Sequence, residues 1–189
     1  MDNQLEKLRR IYELKSVDRM NSVGKRKESS AEHSWSCLIL ADYFLNKMNI
    51  KVDRVKIYEM LIYHDLVEIE TGDVPIHHEN DRIDKHWSEK KAAAKLKKEL
   101  PNAIGKKFAD LFKEFEEMKS VEAKFAKAID KLDATLHEMD YKKDWKGWTE
   151  AQVRRYNDPY FKDFPEIKKA NDEMLEYANK NGYFKLRRV

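Results

Sequence analysis

A chain of 189 residues with 41% hydrophobic and 39% charged positions can bury one sizeable core inside a charged shell, which excludes disordered and fibrous architectures. With 5 Gly and 4 Pro it lacks the turn residues that a many-stranded sandwich or barrel consumes, so an all-α fold in a single domain over 1–189 is expected. Basic residues number 38 against 35 acidic, a net charge of +3 that argues against nucleic acid as a partner; the lone Cys37 excludes internal disulfides, and no apolar run approaches a membrane span or signal-peptide core, so a soluble cytoplasmic protein with no membrane partner is expected.

Leu5, Leu8, Ile11 and Tyr12 recur at helical spacing and predict a first helix over 3–15. The stretch 16–27 breaks that period, holds Gly24 and concentrates Lys25, Arg26 and Lys27, which reads as a basic loop. Ser29 with Glu32 three residues on has the form of a capping box and opens a second helix to about 49. Asp53 is the N-cap of a third helix that reaches about 69 and ends at Thr71-Gly72. Polar, irregular residues over 74–82, with Pro75, His77 and His78, predict a loop. Helices are then expected at 84–100, 102–118 and 120–140, a turn at 144–149, a short helix capped by Thr149 and ending at Tyr156, and a last helix opened by Pro165 and stopped at Gly182. Trp35, Phe44, Trp87, Phe112 and Phe125 are read as core or dimer-interface aromatics.

The most specific local feature is His64-Asp65 in an otherwise apolar helix. His64 shares a face with Ile57, Met60 and Leu61, and Asp65 follows about 100° further round. A carboxylate buried there needs a cation or a dense set of donors, and a divalent metal supplies that charge; an Arg or Lys partner is the plainer alternative. His33 faces inward with Cys37, Leu40 and Phe44, as a ligand or a hydrogen-bonded core histidine. Asp130 shares a face with Ala123, Ala126, Ala134 and His137, where it either points inward or pairs with Lys127 or Lys131. Two His and two Asp from three helices would make a mixed N/O site suited to one divalent transition metal among Mn, Fe, Co, Ni and Zn. His137, two turns beyond Asp130, is assigned to packing or a hydrogen bond, and His77 and His78 to no role.

The strings Glu32-His33-Ser34-Trp35, His64-Asp65-Leu66-Val67-Glu68-Ile69 with Thr71-Gly72-Asp73, and Lys127 to Asp133 closely resemble the H...HD...D signature of HD-domain metal-dependent phosphohydrolases. Within that superfamily the chain resembles the small group related to 5'-deoxynucleotidases, to which Trp148 to Val153 and the C-terminal Gly182-Tyr183 are also similar. The resemblance implies an all-α HD-domain bundle, frequent homodimers, a metal held by His33, His64, Asp65 and Asp130, and hydrolysis of a phosphomonoester. Glu68 matches a residue with a catalytic role, placed by its spacing one turn beyond the metal to orient or deprotonate water. Asp73 matches a residue that binds a sugar hydroxyl, Arg19 a phosphate-contacting arginine, and Lys25 and Arg26 a basic pair. Met20 stands where an aromatic helps those enzymes reject ribonucleotides, so a looser sugar preference is implied.

The expected activity is therefore hydrolysis of nucleoside or deoxynucleoside 5'-monophosphates. A phosphodiesterase, a nucleotide pyrophosphohydrolase and a non-catalytic metal-stabilised nucleotide-binding module remain alternatives.

Overall fold

The computed structural model describes residues 3–74 and 79–185; the loop assignment at Pro75, His77 and His78 lies outside them. The chain runs through α1 (Asn3–Tyr12), a 3-10 turn (Glu13–Ser16), β1 (Asp18–Val23), β2 (Arg26–Ser29), α2 (Ser30–Lys47), α3 (Arg54–Tyr63), α4 (Glu68–Thr71) and α5 (Glu79–Glu99). It continues through α6 (Asn102–Glu117), α7 (Val121–Glu138), a 3-10 turn (Lys142–Trp145), α8 (Glu150–Phe161) and α9 (Pro165–Lys180). Helix dominates, as its composition requires. Among the described residues no helix is long and apolar enough to cross a membrane.

The stretch read as a basic loop is a short antiparallel hairpin, with Val23 opposite Arg26, Ser22 opposite Lys27 and Asp18 opposite Ser29 across an irregular register. Gly24 turns it at φ +60°, where a side chain would be strained. The strands lack the alternation of apolar residues that marks a strand in sequence, because their inward positions are the polar Arg19, Asn21 and Glu28. The hairpin feeds directly into α2 through the expected capping box: Ser29 Oγ accepts from Glu32 N at 3.3 Å, and Glu32 Oε2 accepts from Ser29 N at 2.9 Å.

The third helix differs from its expectation. α3 stops at Tyr63, and 64–67 forms a turn of i→i+3 bonds before α4 begins at Glu68. Two cores pull on this segment. Ile57, Met60 and Leu61 pack with Phe44, Phe125, Ile129 and Phe164, while Leu66 and Val67 pack with Leu96, Phe108 and Phe112. A continuous helix would carry one set of side chains away from its core, so the turn satisfies both. α7 stands between α2, α3, α6, α8 and α9 and supplies the densest apolar face.

Smaller differences have local reasons. α5 begins at Glu79, within the segment read as loop, and α8 continues through Pro159 to Phe161, which is wholly buried in the main core. Phe44, Phe112 and Phe125 are core residues, whereas Trp35 and Trp87 are 65% and 70% exposed.

α5 and α6 approach so closely at Gly105 that a Cβ there would lie 2.3 Å from the Lys97 carbonyl oxygen. Gly105→Ala gains up to about 1 kcal/mol of helix propensity but costs about 1–3 kcal/mol in forced separation of the helices. Packing wins, and thermal denaturation should show a Tm lowered by a few degrees; an unchanged or raised Tm would mean that the helices part freely.

Candidate metal and active site

Three elements bring the sequence-predicted donors together. His33 lies in the second turn of α2, wholly buried; His64 and Asp65 open the turn after α3; Asp130 faces inward from the middle of α7. His33 Nε2 is 3.2 Å from Asp130 Oδ1 and 3.9 Å from Asp65 Oδ2. His64 Nε2 is 3.3 Å from Asp65 Oδ1 and 4.0 Å from Asp130 Oδ1. Such separations are those between neighbouring donors around one cation with metal–ligand bonds of about 2.0–2.2 Å.

The second nitrogen of each imidazole is already engaged. His64 Nδ1 donates to the Leu61 carbonyl at 2.9 Å, and His33 Nδ1 faces Asp133 Oδ2 at 2.8 Å. These partners orient both rings so that each Nε2 points into the cluster, where His33 Nε2 meets Asp130 Oδ1. His64 Nε2 is buried with no hydrogen-bond partner. An orphaned buried nitrogen is costly unless something electropositive meets it, and this residue set fits a divalent ion.

Two other buried donor groups include His33, one with Cys37 and His64 and one with Glu28 and Asp133. Neither is the better cradle. Without a cation, burial pushes the Cys37 thiol up to about 12, and the His33 nitrogen facing Asp133 is already bonded. Asp65 and Asp130 are ionised instead: against burial, His64 holds Asp65 below the usual carboxylate range, and Lys131 with His33 holds Asp130 well below it.

Arg19 of β1 spans the cluster's edge, its Nη1 3.2 Å from Asp65 Oδ2 and its Nε 3.3 Å from Glu28 Oε2. Asp65, Glu68, Asp73 and Glu28 together raise its pKa against burial, so it is a fixed cation. Glu68 is 4% exposed and accepts from Ser30 Oγ at 2.6 Å. Burial, then the neighbouring Asp65 charge, pushes its carboxyl up to about 8; a cation placed in the cluster would draw that value down. Arg19, Glu68, Asp73, His64, Asp65 and Asp130 all line one cavity of about 800 Å³. Asp73 follows Gly72, whose φ of +69° turns the chain out of α4.

Lys25 and Arg26 are not brought to this cavity. Both sit exposed at the hairpin turn, and the Arg26 guanidinium is held by Glu32 at 2.8 Å. Lys27 lines the cavity in their place. His137 bonds the Ser22 carbonyl at 2.8 Å and stacks on Tyr141. Asp130 pairs with Lys131 at 3.0 Å, while Lys127 turns to Glu116. Sequence reasoning missed the supporting roles of Asp133, Ser30 and Glu28. Only Asp133 left a trace, three residues from Asp130 on the same helix.

Known proteins resemble this chain. The family described as HD domain matches residues 11–168. The 5'-deoxynucleotidase HDDC2 of Danio rerio is 28% identical over 144 residues, covering 75% of this chain and 70% of the relative. Its counterpart from Bos taurus is 31% identical over 146 residues, covering 74% of this chain and 68% of that protein. A solved structure from Magnetospirillum magnetotacticum MS-1, a predicted metal-dependent phosphohydrolase, is 29% identical with a TM-score of 0.86 and covers 98% of this chain and 97% of its own.

The geometry predicts about one divalent ion per chain by elemental analysis. His64→Ala should abolish it with helicity intact, and Asp133→Asn should weaken metal affinity about 10- to 100-fold by releasing the His33 ring. Equal metal content in wild type and His64→Ala would refute the site.

Proposed function

Because the chain belongs to the HD-domain family, we propose that it is a divalent-metal-dependent phosphohydrolase that cleaves the phosphomonoester of nucleoside and deoxynucleoside 5'-monophosphates. The observation that carries this reading is the convergence of His33, His64, Asp65 and Asp130, with His64 Nε2 buried and unpartnered, at the wall of a cavity that also holds Arg19 and Glu68. The names of the HDDC2 relatives support the substrate class.

His33, His64, Asp65 and Asp130 would hold the ion, which when bound supplies Lewis-acid polarisation of a phosphoryl oxygen and lowers the pKa of water. Arg19, a fixed guanidinium beside Asp65, offsets negative charge on the phosphoryl oxygens as it builds up. Glu68, anchored by Ser30, accepts the proton of the attacking water and fixes its direction. Asp73, at the exit of α4, accepts a hydrogen bond from a sugar hydroxyl. Met20 offers the sugar a flexible thioether in place of a flat ring, so ribose is rejected less sharply. Lys25 and Arg26 take no part.

A cytoplasmic homodimer completes the reading. α2 presents Trp35, Ile39 and Tyr43 at four-residue spacing, each more than half exposed, an apolar stripe suited to a second copy of the chain. Ile39→Arg should convert a dimer to a monomer in light scattering; a wild-type monomer at micromolar concentration would remove this part of the proposal.

Glu68→Gln preserves shape while removing the proton acceptor. Phosphate release from deoxynucleotides should fall about 10²- to 10⁴-fold in kcat, roughly 3–5 kcal/mol of barrier, with metal content and substrate affinity close to wild type. Near-full activity in that variant at saturating metal would show that another group activates water.

A further inference from the structure

The cavity extends well beyond the metal cluster, and two elements run along it from the metal end to a far end. On α7, Asp130, Lys131, Ala134, Thr135 and Glu138 all line it. Eight residues of helix place Glu138 about 12 Å along the axis from Asp130, at 1.5 Å per residue. On β1, Arg19 meets Asp65 at the metal end, and Asn21, two residues on and on the same face, meets Glu138: its Nδ2 donates to Glu138 Oε1 at 3.1 Å. That span matches a nucleoside monophosphate from phosphorus to the outer edge of its base. The small Ala134 between the two ends leaves width for a sugar.

The far end is built to read a polar edge. Asn21 is only 8% exposed. Its bond takes Oε1, and among the described residues no hydrogen bond to Glu138 Oε2 is found. Burial, reinforced by Asp144, pushes the Glu138 carboxyl up to about 8, so at neutral pH it carries an O–H donor beside an acceptor oxygen. Other contacts hold the pair in place. Trp145 Nε1 donates to the Glu138 carbonyl at 2.9 Å, and Asp144 accepts from Ser22 N at 2.8 Å, tying the 142–148 segment to both α7 and β1. Trp148 and Tyr156, edge to face at 6.0 Å, add aromatic surface to the same cavity.

We propose that Asn21 and Glu138 form a nucleobase subsite, hydrogen-bonding the polar edge of the base against the Trp148 and Tyr156 wall, so that the preferred substrate is a whole nucleotide and not a sugar phosphate. This inference rests on the reading of the metal end as the phosphate end. It accounts for a part-buried amide–acid pair that phosphate hydrolysis does not use. Lys143 and Lys146 at the same rim are exposed and assist only through long-range charge.

The test compares phosphate release from deoxyadenosine 5'-monophosphate and from 2-deoxyribose 5-phosphate in the metal-loaded enzyme. The ratio of their kcat/KM values should exceed about tenfold in wild type and fall about 10- to 100-fold in Asn21→Ala and in Glu138→Ala, carried by KM. Glu138→Gln, whose carboxamide keeps a donor beside an acceptor, should hold the ratio within about threefold of wild type. A ratio unchanged in both alanine variants, or lost equally in Glu138→Gln, overturns the subsite; where Glu138→Ala fails to fold, Asn21→Ala decides. If the wild type releases phosphate from neither compound, the hydrolase reading fails, and calorimetric binding of the two compounds then decides the subsite separately. Tighter binding of the nucleotide that Asn21→Ala abolishes supports it, and equal binding overturns it.

Discussion

Two ionised carboxylates and two imidazoles are drawn out of water where α2, α3 and α7 meet, and the rest of the structure answers that constraint. Like charges a few ångströms apart repel by about 4 kcal/mol at an effective dielectric of about 20, before any cost of desolvation. The protein offsets part of this with Arg19 beside Asp65 and Lys131 beside Asp130. It leaves the centre, where His64 Nε2 is orphaned, to a cation. A mixed N/O donor set of this kind is worth burying only if binding a metal returns the energy spent on gathering it.

A surrounding layer keeps those groups from relaxing toward one another. Asp133 and the Leu61 carbonyl orient the two imidazoles, Ser30 holds Glu68, and Glu28 holds the far side of Arg19. Each partner comes from a different element than the group it restrains or from a different turn of the same one. Distorting any of these helices therefore misaims a functional atom. Preorganised polar atoms of this sort cost stability at the site, and the two apolar clusters that flank the 64–67 turn supply it.

α7 links the two halves of this balance. Phe125, Ala126, Ala128, Ile129 and Leu132 bury one side of it in the main core. Its other side carries Asp130, Ala134 and Glu138 along the cavity, so the helix that anchors the fold also spaces the ends of the site. β1 runs beside it, with Arg19 meeting Asp65 at the metal end and Asn21 meeting Glu138 at the far end.

The sequence by itself determined the helical class, most helix boundaries and the Ser29–Glu32 capping box, and its resemblance to HD-domain motifs implied that His33, His64, Asp65 and Asp130 converge. Those features are local or rest on ordered motifs: a cap lies three residues from its partner, and apolar periodicity within one helix says which side faces inward. Only the tertiary structure decided where α3 breaks, that 18–29 pairs as a hairpin, and that Trp35 and Trp87 lie outside the core of the chain. It alone joined His33 to Asp133, Glu68 to Ser30, Arg19 to Glu28 and Asn21 to Glu138, and it alone left Lys25 and Arg26 outside the cavity. The physical reason is that these choices depend on groups 9 to 117 residues apart in the chain, or on two cores competing for one turn. Neither separation nor competition leaves a period in the sequence.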